Sequence, residues 1–177
     1  RTVTKATDNF TYKKTAERNL KIYSFKPPTW EKTKQYPSIV FYFGGALIKR
    51  NLNQLENIAQ EFSENGYVAF LADYRVKSRE NVTALDCIND ARDAFAFVRK
   101  NADRFSLDDS KITAFGYSSG GYLASALGTL DDPIHGANSK PNSMILLAMG
   151  NPTKYRTTRW LGTSDLSPIS PVDNINK

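Results

Sequence analysis

The chain has one histidine, one cysteine and two methionines among its 177 residues. A single cysteine, Cys87, closes no internal disulfide and builds no thiolate metal cluster. It falls at an apolar helical position and reads as a small core side chain. Without a disulfide framework the redox compartment stays open. No apolar run approaches the roughly 20 residues that a membrane helix needs, so no membrane span is expected. Nor does a charged n-region precede an apolar h-region. The chain opens on Arg1 rather than Met, so a soluble protein exported with its leader removed stays among the options. Repeats, low-complexity tracts and domain linkers are absent. What is left is a globular chain long enough for one domain, residues 1–177, with a real core.

Charge is present but unevenly placed. The formal net charge is +6, and residues 1–35 alone hold nine Lys/Arg against three acids, Asp8, Glu17 and Glu31. A basic segment of this kind can meet nucleic acid or an anionic surface. It also serves as the wet face of edge strands, where Lys blocks unwanted pairing. The second reading is the better one here, and no nucleic-acid partner is expected.

Residues 9–13 and 20–25 alternate polar and apolar, which predicts two strands of a hairpin. Residues 38–43 form a continuous apolar run, as in a strand buried on both faces. Leu52, Leu55, Ile58, Ala59 and Phe62 recur at helical spacing up to the stop at Asn65-Gly66. Residues 67–72 predict another buried strand. A long helix follows, with an apolar stripe from Ala84 through Cys87, Ile88, Ala91, Phe95, Val98 and Ala102 to Phe105. Thr83 with Asp86 three residues on provides its cap, with Asp where a capping box prefers Glu or Gln. After a turn at 106–110 come a strand at 111–115, a small-residue helix at 120–130 and a strand at 143–148. Residues 151–177 read mainly as loop. Strands alternating with helices imply an α/β chain: a mostly parallel sheet with helices on both faces and an antiparallel hairpin at its start.

The strongest chemical signal is Gly116-Tyr117-Ser118-Ser119-Gly120. As a bare G-x-S-x-G it says little. Its setting, between a predicted strand and a predicted helix, is the one a nucleophile elbow requires. The serine must stand at the tip of a strained turn, and glycines two before and two after let strand and helix backbones approach without a Cβ clash. The turn also leaves the Ser119 N–H at a helix N-terminus, where an anion is favoured. The second signal is Phe43-Gly44-Gly45-Ala46, directly after a strand. Small residues there let main-chain N–H groups approach a substrate carbonyl whose oxygen becomes an oxyanion.

With these motifs on the page, residues 38–130 resemble the esterase/lipase branch of the α/β-hydrolases that includes carbohydrate acetyl esterases and hormone-sensitive-lipase-like enzymes. The matching pieces are Phe41-Tyr42-Phe43-Gly44-Gly45-Ala46, Ala72-Asp73-Tyr74-Arg75, Asp90-Ala91-Arg92-Asp93-Ala94 with Val98-Arg99, and Gly116-Tyr117-Ser118-Ser119-Gly120-Gly121-Tyr122-Leu123-Ala124. The resemblance implies the α/β-hydrolase fold. It also implies Ser118 as nucleophile and backbone N–H groups of Gly44, Gly45, Ala46 and Ser119 as oxyanion donors. The family usually has His where Phe43 stands and Ala where Ser119 stands. Asp73-Tyr74-Arg75 admits two readings, substrate contact by Tyr74 and an Arg75 pinned by carboxylates; Tyr117 is a second candidate for substrate contact. No cofactor or metal is implied.

His135 is a poor candidate for the general base, because in this fold the order is Ser, acid, His, with the His after the last strand. Asp165 and Asp173 are unconvincing as the acid. The expectation is therefore a domain whose C-terminal part is missing, with the triad acid and base beyond Lys177. The expected activity is hydrolysis of short-chain acyl esters, with acetyl esters of carbohydrates among the small-molecule substrates, through an acyl-enzyme on Ser118. A serine peptidase or amidase of the same fold, and a non-catalytic binding scaffold, are the competing readings.

Overall fold

A computed structural model describes residues 3–150, 165 and 169–175. The two N-terminal strands, β1 (Asp8–Lys14) and β2 (Asn19–Phe25), pair antiparallel with a bulge between Thr11 and Lys13. Strand β3 (Tyr36–Tyr42) leads through a 3-10 turn at Leu52–Leu55 into helix α1 (Glu56–Glu64), and β4 (Val68–Ala72) follows. The short helix α2 (Lys77–Glu80) precedes the long helix α3 (Ala84–Lys100) and the single-turn helix α4 (Ala102–Phe105). Strand β5 (Leu107–Tyr117), helix α5 (Ser119–Thr129) and strand β6 (Ser143–Leu147) complete the main elements.

The six strands form one sheet in the order β1-β2-β4-β3-β5-β6. Strands β4, β3, β5 and β6 run parallel, and the hairpin adds antiparallel through β2. Strand order sets where the helices lie. The crossover from β3 to β4 runs one way along the sheet; those from β4 to β5 and from β5 to β6 run the other. Right-handed crossovers then put α1 on one face and α3 and α5 on the other. Consistent with this, α3 and α5 pack on each other, and α1 packs on β4 and β2. All five residues of β4 are buried, as are Ile39 to Tyr42 of β3, which is why both strands read as unbroken apolar runs rather than alternating ones.

The sequence placed the main elements in the right order, but α2 was not among them, the stripe from Leu52 to Phe62 divides between the 3-10 turn and α1, and two further extents differ. The stripe running to Phe105 does not belong to one helix: α3 stops at Asn101, whose side-chain amide donates to the Phe97 carbonyl at 2.8 Å, and the last turn is the separate α4. Strand β5 begins at Leu107, inside the predicted turn, because Leu107 pairs with Tyr36 ahead of the main ladder. The cap of α3 is a full capping box despite the shorter Asp86. The Asp86 carboxylate accepts the Thr83 N–H at 2.8 Å, and the Thr83 hydroxyl accepts the Asp86 N–H at 3.3 Å.

The basic N-terminal segment meets acids from later in the chain. Lys13 bridges Asp90 and Asp93, both at 2.6 Å. Arg18 meets Asp73 and Glu80, both at 2.8 Å. These two cations fasten the hairpin to the body. Most of residues 151–177, expected as loop, lie outside the described residues.

Candidate active site

In parallel α/β sheets, ligands bind at the carboxyl edge where neighbouring strands send their connections to opposite faces. Here that switch point lies between β3, which leads to α1, and β5, which leads to α5. The ladder pairs Tyr42 with Gly116, so the next residues on each strand bring the 43–47 loop beside Tyr117 and Ser118. Both sequence signals therefore arrive at one crevice, although 74 positions separate Gly44 from Ser118.

Ser118 is the single residue between β5 and α5, half-buried, with φ 54° and ψ −119°. For a residue with a Cβ such a conformation costs about 1–3 kcal/mol and persists only where the surroundings force it. Two glycines supply the force. A Cβ at Gly116 would lie 2.1 Å from the Gly120 carbonyl oxygen, and one at Gly120 would lie 2.0 Å from that of Tyr42. Strand, turn and helix are thus packed backbone on backbone. The Ser118 N–H donates to the Leu147 carbonyl at 2.8 Å, and the Ser118 carbonyl accepts the Tyr122 N–H at 3.2 Å. No described residue hydrogen-bonds the Ser118 hydroxyl.

The 43–47 loop is also strained: φ is 62° at Ala46 and 57° at Leu47. Several bonds hold it. Gly44 N–H donates to the Gln54 side-chain oxygen at 2.8 Å, and Leu47 N–H to the Ser119 hydroxyl oxygen at 3.3 Å. The Leu47 carbonyl accepts from Lys77 N–H at 2.8 Å, and Arg50 reaches Asp73 at 2.8 Å. Gln54 corrects one expectation: the Gly44 N–H is already engaged, which removes it from the oxyanion candidates. The N–H groups of Gly45, Ala46 and Ser119 have no partner among the described residues. Gly45 and Ala46 are partly exposed, and Ser119 opens α5, whose first N–H groups lack intrahelical acceptors.

Tyr74 requires a second correction. It was a candidate for substrate contact but is 0% exposed. Its ring stacks on Phe43 with centroids 4.1 Å apart and 8° between planes. Its hydroxyl, kept protonated by burial, donates to the Phe43 carbonyl at 2.6 Å. A side chain sealed on all sides supports the loop and offers no surface to a ligand. Its neighbour Arg75 is pinned by carboxylates: its guanidinium meets Asp90 at 2.8 and 3.0 Å, with Glu17 and Asp86 near by. Tyr117, the residue before Ser118, is 38% exposed.

His135 is not near the candidate nucleophile. It follows the far end of α5, an 11-residue helix about 16 Å long that begins at Ser119. Its Nε2 lies 2.6 Å from Asp93 on α3. Asp165 and Asp173 are both exposed. Among the described residues no three His, Cys, Asp or Glu gather as a metal site, and no helix is long and apolar enough to cross a membrane. Sequence reasoning missed Gln54 and the Ser119 side chain. Neither carries a local signal, because each acts on a backbone N–H distant from it in the chain.

Comparison with known proteins agrees with this fold. Residues 20–163 match the BD-FAE family. Over 104 residues the chain is 28% identical to AB hydrolase superfamily protein C1039.03 of Schizosaccharomyces pombe, covering 58% of this chain and 30% of that protein. It superposes on a thermophilic esterase of the planctomycete Thermogutta terrifontis in a propionate-bound structure with a TM-score of 0.87. Identity there is 32%, covering 97% of this chain and 67% of that one. Against esterase 2 of that organism phosphonylated by sarin the TM-score is 0.89 at 31% identity, covering 99% and 70%. The chain thus spans under a third of the yeast protein and about two thirds of the esterase.

Proposed function

Because this chain belongs to the BD-FAE family and has the α/β-hydrolase fold, we propose that it carries the nucleophile and oxyanion hole of a serine carboxylesterase acting on short-chain acyl esters. The observation that carries the proposal is Ser118. It is a strained, half-buried serine at the sheet's switch point, its hydroxyl unclaimed by any described residue, beside three N–H groups equally unclaimed. In this reading the Ser118 oxygen attacks the ester carbonyl and forms a C–O bond. The carbonyl electrons move onto oxygen, where Gly45, Ala46 and Ser119 N–H groups and the N-terminal end of α5 stabilise the charge. The ester C–O bond then breaks, the alcohol leaves with a proton, and water releases the acyl group from Ser118. We assign the triad acid and base to none of the described residues.

Support for a short acyl group comes from the related esterase, which has been observed with propionate and with butyrate bound. Its phosphonylation by sarin fits a reactive hydroxyl in the same fold. Acetyl esters of carbohydrates belong within this proposal as substrates. The test uses the full-length protein, a fluorophosphonate probe and p-nitrophenyl esters from acetate to octanoate, followed by acetylated oligosaccharides. Labelling that disappears in Ser118→Ala, with turnover greatest for short acyl groups, is expected. Equal labelling and turnover in Ser118→Ala would refute the assignment.

A further inference from the structure

The 43–47 loop holds two consecutive non-glycine residues in the left-handed region, Ala46 and Leu47. A turn closes it locally, the Gly45 carbonyl accepting the Ile48 and Lys49 N–H groups at 3.0 and 2.8 Å, and partners from elsewhere in the chain hold its ends. Its two ends are secured by two hydroxyls from different parts of the chain. At the entry, the Tyr74 hydroxyl donates to the Phe43 carbonyl at 2.6 Å while its ring stacks on the Phe43 ring. At the exit, the Ser119 hydroxyl oxygen accepts the Leu47 N–H at 3.3 Å. Both side chains are buried, Tyr74 at 0% and Ser119 at 6% exposure. Between the two anchors lie Gly45 and Ala46, whose N–H groups have no partner among the described residues.

The two hydroxyls grip the loop from opposite ends: Ser119 reaches it from the start of α5, and Tyr74 reaches it from the segment after β4.

We propose that Ser119 and Tyr74 are positioning residues whose hydroxyls, one at each end of the loop, hold the Gly45 and Ala46 N–H groups in place for the developing oxyanion. The proposal rests on the reading of Ser118 as nucleophile. In that reading Ser119 serves the site twice, its backbone N–H as an oxyanion donor and its side chain as an anchor of the facing loop. Neither hydroxyl touches substrate, so both act through the loop.

The test uses the full-length protein with Ser119→Ala, Tyr74→Phe, the double variant and Ser118→Ala. Each is assayed on p-nitrophenyl acetate and on its thionoester, in which sulfur replaces the carbonyl oxygen. The ratio of the two turnovers reads stabilisation at the carbonyl oxygen. A shift of the loop well under 1 Å is expected to lower kcat about tenfold in each single variant. KM should stay within about twofold and the oxoester-to-thionoester ratio should fall. The double variant should lose more than either single, because the two hydroxyls hold the same loop from different ends. Melting curves identify any variant that fails to fold, and Ser119→Ala, the smaller change, carries the test if Tyr74→Phe does. Wild-type kcat and ratio in Ser119→Ala, with Ser118→Ala inactive, would overturn the positioning role and leave the nucleophile standing. A fall in kcat with the ratio unchanged would also overturn it. Full activity in Ser118→Ala would overturn the reading of the nucleophile itself.

Discussion

Gly120→Ala tests the packing that forces Ser118 into its strained turn. The added Cβ would lie 2.0 Å from the Tyr42 carbonyl oxygen and 2.6 Å from that of Phe43. Both are backbone atoms and cannot swing aside. Reaching even 3.0 Å requires β3 and the start of α5 to part by at least 1 Å. Overpacking of this kind costs about 1–3 kcal/mol. For a chain of this size each kcal/mol lowers Tm by about 2–4 °C, so a fall of about 2–12 °C is expected. The functional effect should be larger, because the separation opens between the 43–47 loop after β3 and Ser118 ahead of α5, the proposed oxyanion hole and nucleophile. A misplacement of about 1 Å in a reacting pair can cost about 10²-fold. Gly66→Ala is the control. Gly66 has φ 91°, so Ala there is strained, yet a Cβ would have nothing within 4 Å. It should lose about 1–2 kcal/mol with turnover unchanged. The assay is kcat for p-nitrophenyl acetate with full-length protein, beside thermal melts. If Gly120→Ala keeps kcat within about threefold of wild type, or Gly66→Ala loses turnover equally, the link between this contact and the reacting geometry is wrong.

The remaining predictions concern stability and reactivity. Thr83→Ala removes the side-chain arm of the α3 capping box and should cost about 0.5–2 kcal/mol in urea unfolding; no change in the midpoint would show the cap to be idle. Burial pushes the Glu56 carboxyl up, but the Lys5 and Thr4 N–H groups and the Asn53 side chain more than offset it, so its pKa is lowered from 4.5. The unfolded chain therefore binds a proton that the folded one does not, and the stabilisation, complete above about pH 4.5, is lost as pH falls through the folded value. The stability gap between wild type and Glu56→Gln should accordingly shrink between pH 6 and pH 3; a constant gap would contradict this. Burial pushes the Cys87 thiol pKa far up, and the thiol donates to the Arg75 carbonyl at 3.3 Å. It should resist a disulfide reagent in the native state and react once unfolded, whereas fast native labelling would place it at the surface.

The order of elements, the parallel sheet with its leading hairpin, and the two glycine-bearing turns were legible in the sequence because each rests on local rules. A strand covered on both faces must read as an apolar run, which is why residues 38–43 and 67–72 stood out. A backbone turn that packs against two others needs glycine at fixed offsets, which marked Gly116 and Gly120. Chain order alone set His135 aside, and its partner Asp93 agrees. Tertiary structure decided what depends on contacts between distant segments. Asn101 ends α3 although the apolar stripe continues, since periodicity reports which face is buried and not whether one helix carries it. Tyr74 lies beside the site in sequence logic, yet the Phe43 ring and carbonyl seal it in the core. Gln54 and the Ser119 hydroxyl hold backbone N–H groups 10 and 72 positions away. A hydrogen bond to a main-chain atom leaves no mark on the identity of the residue it holds, so only the folded chain could reveal these two.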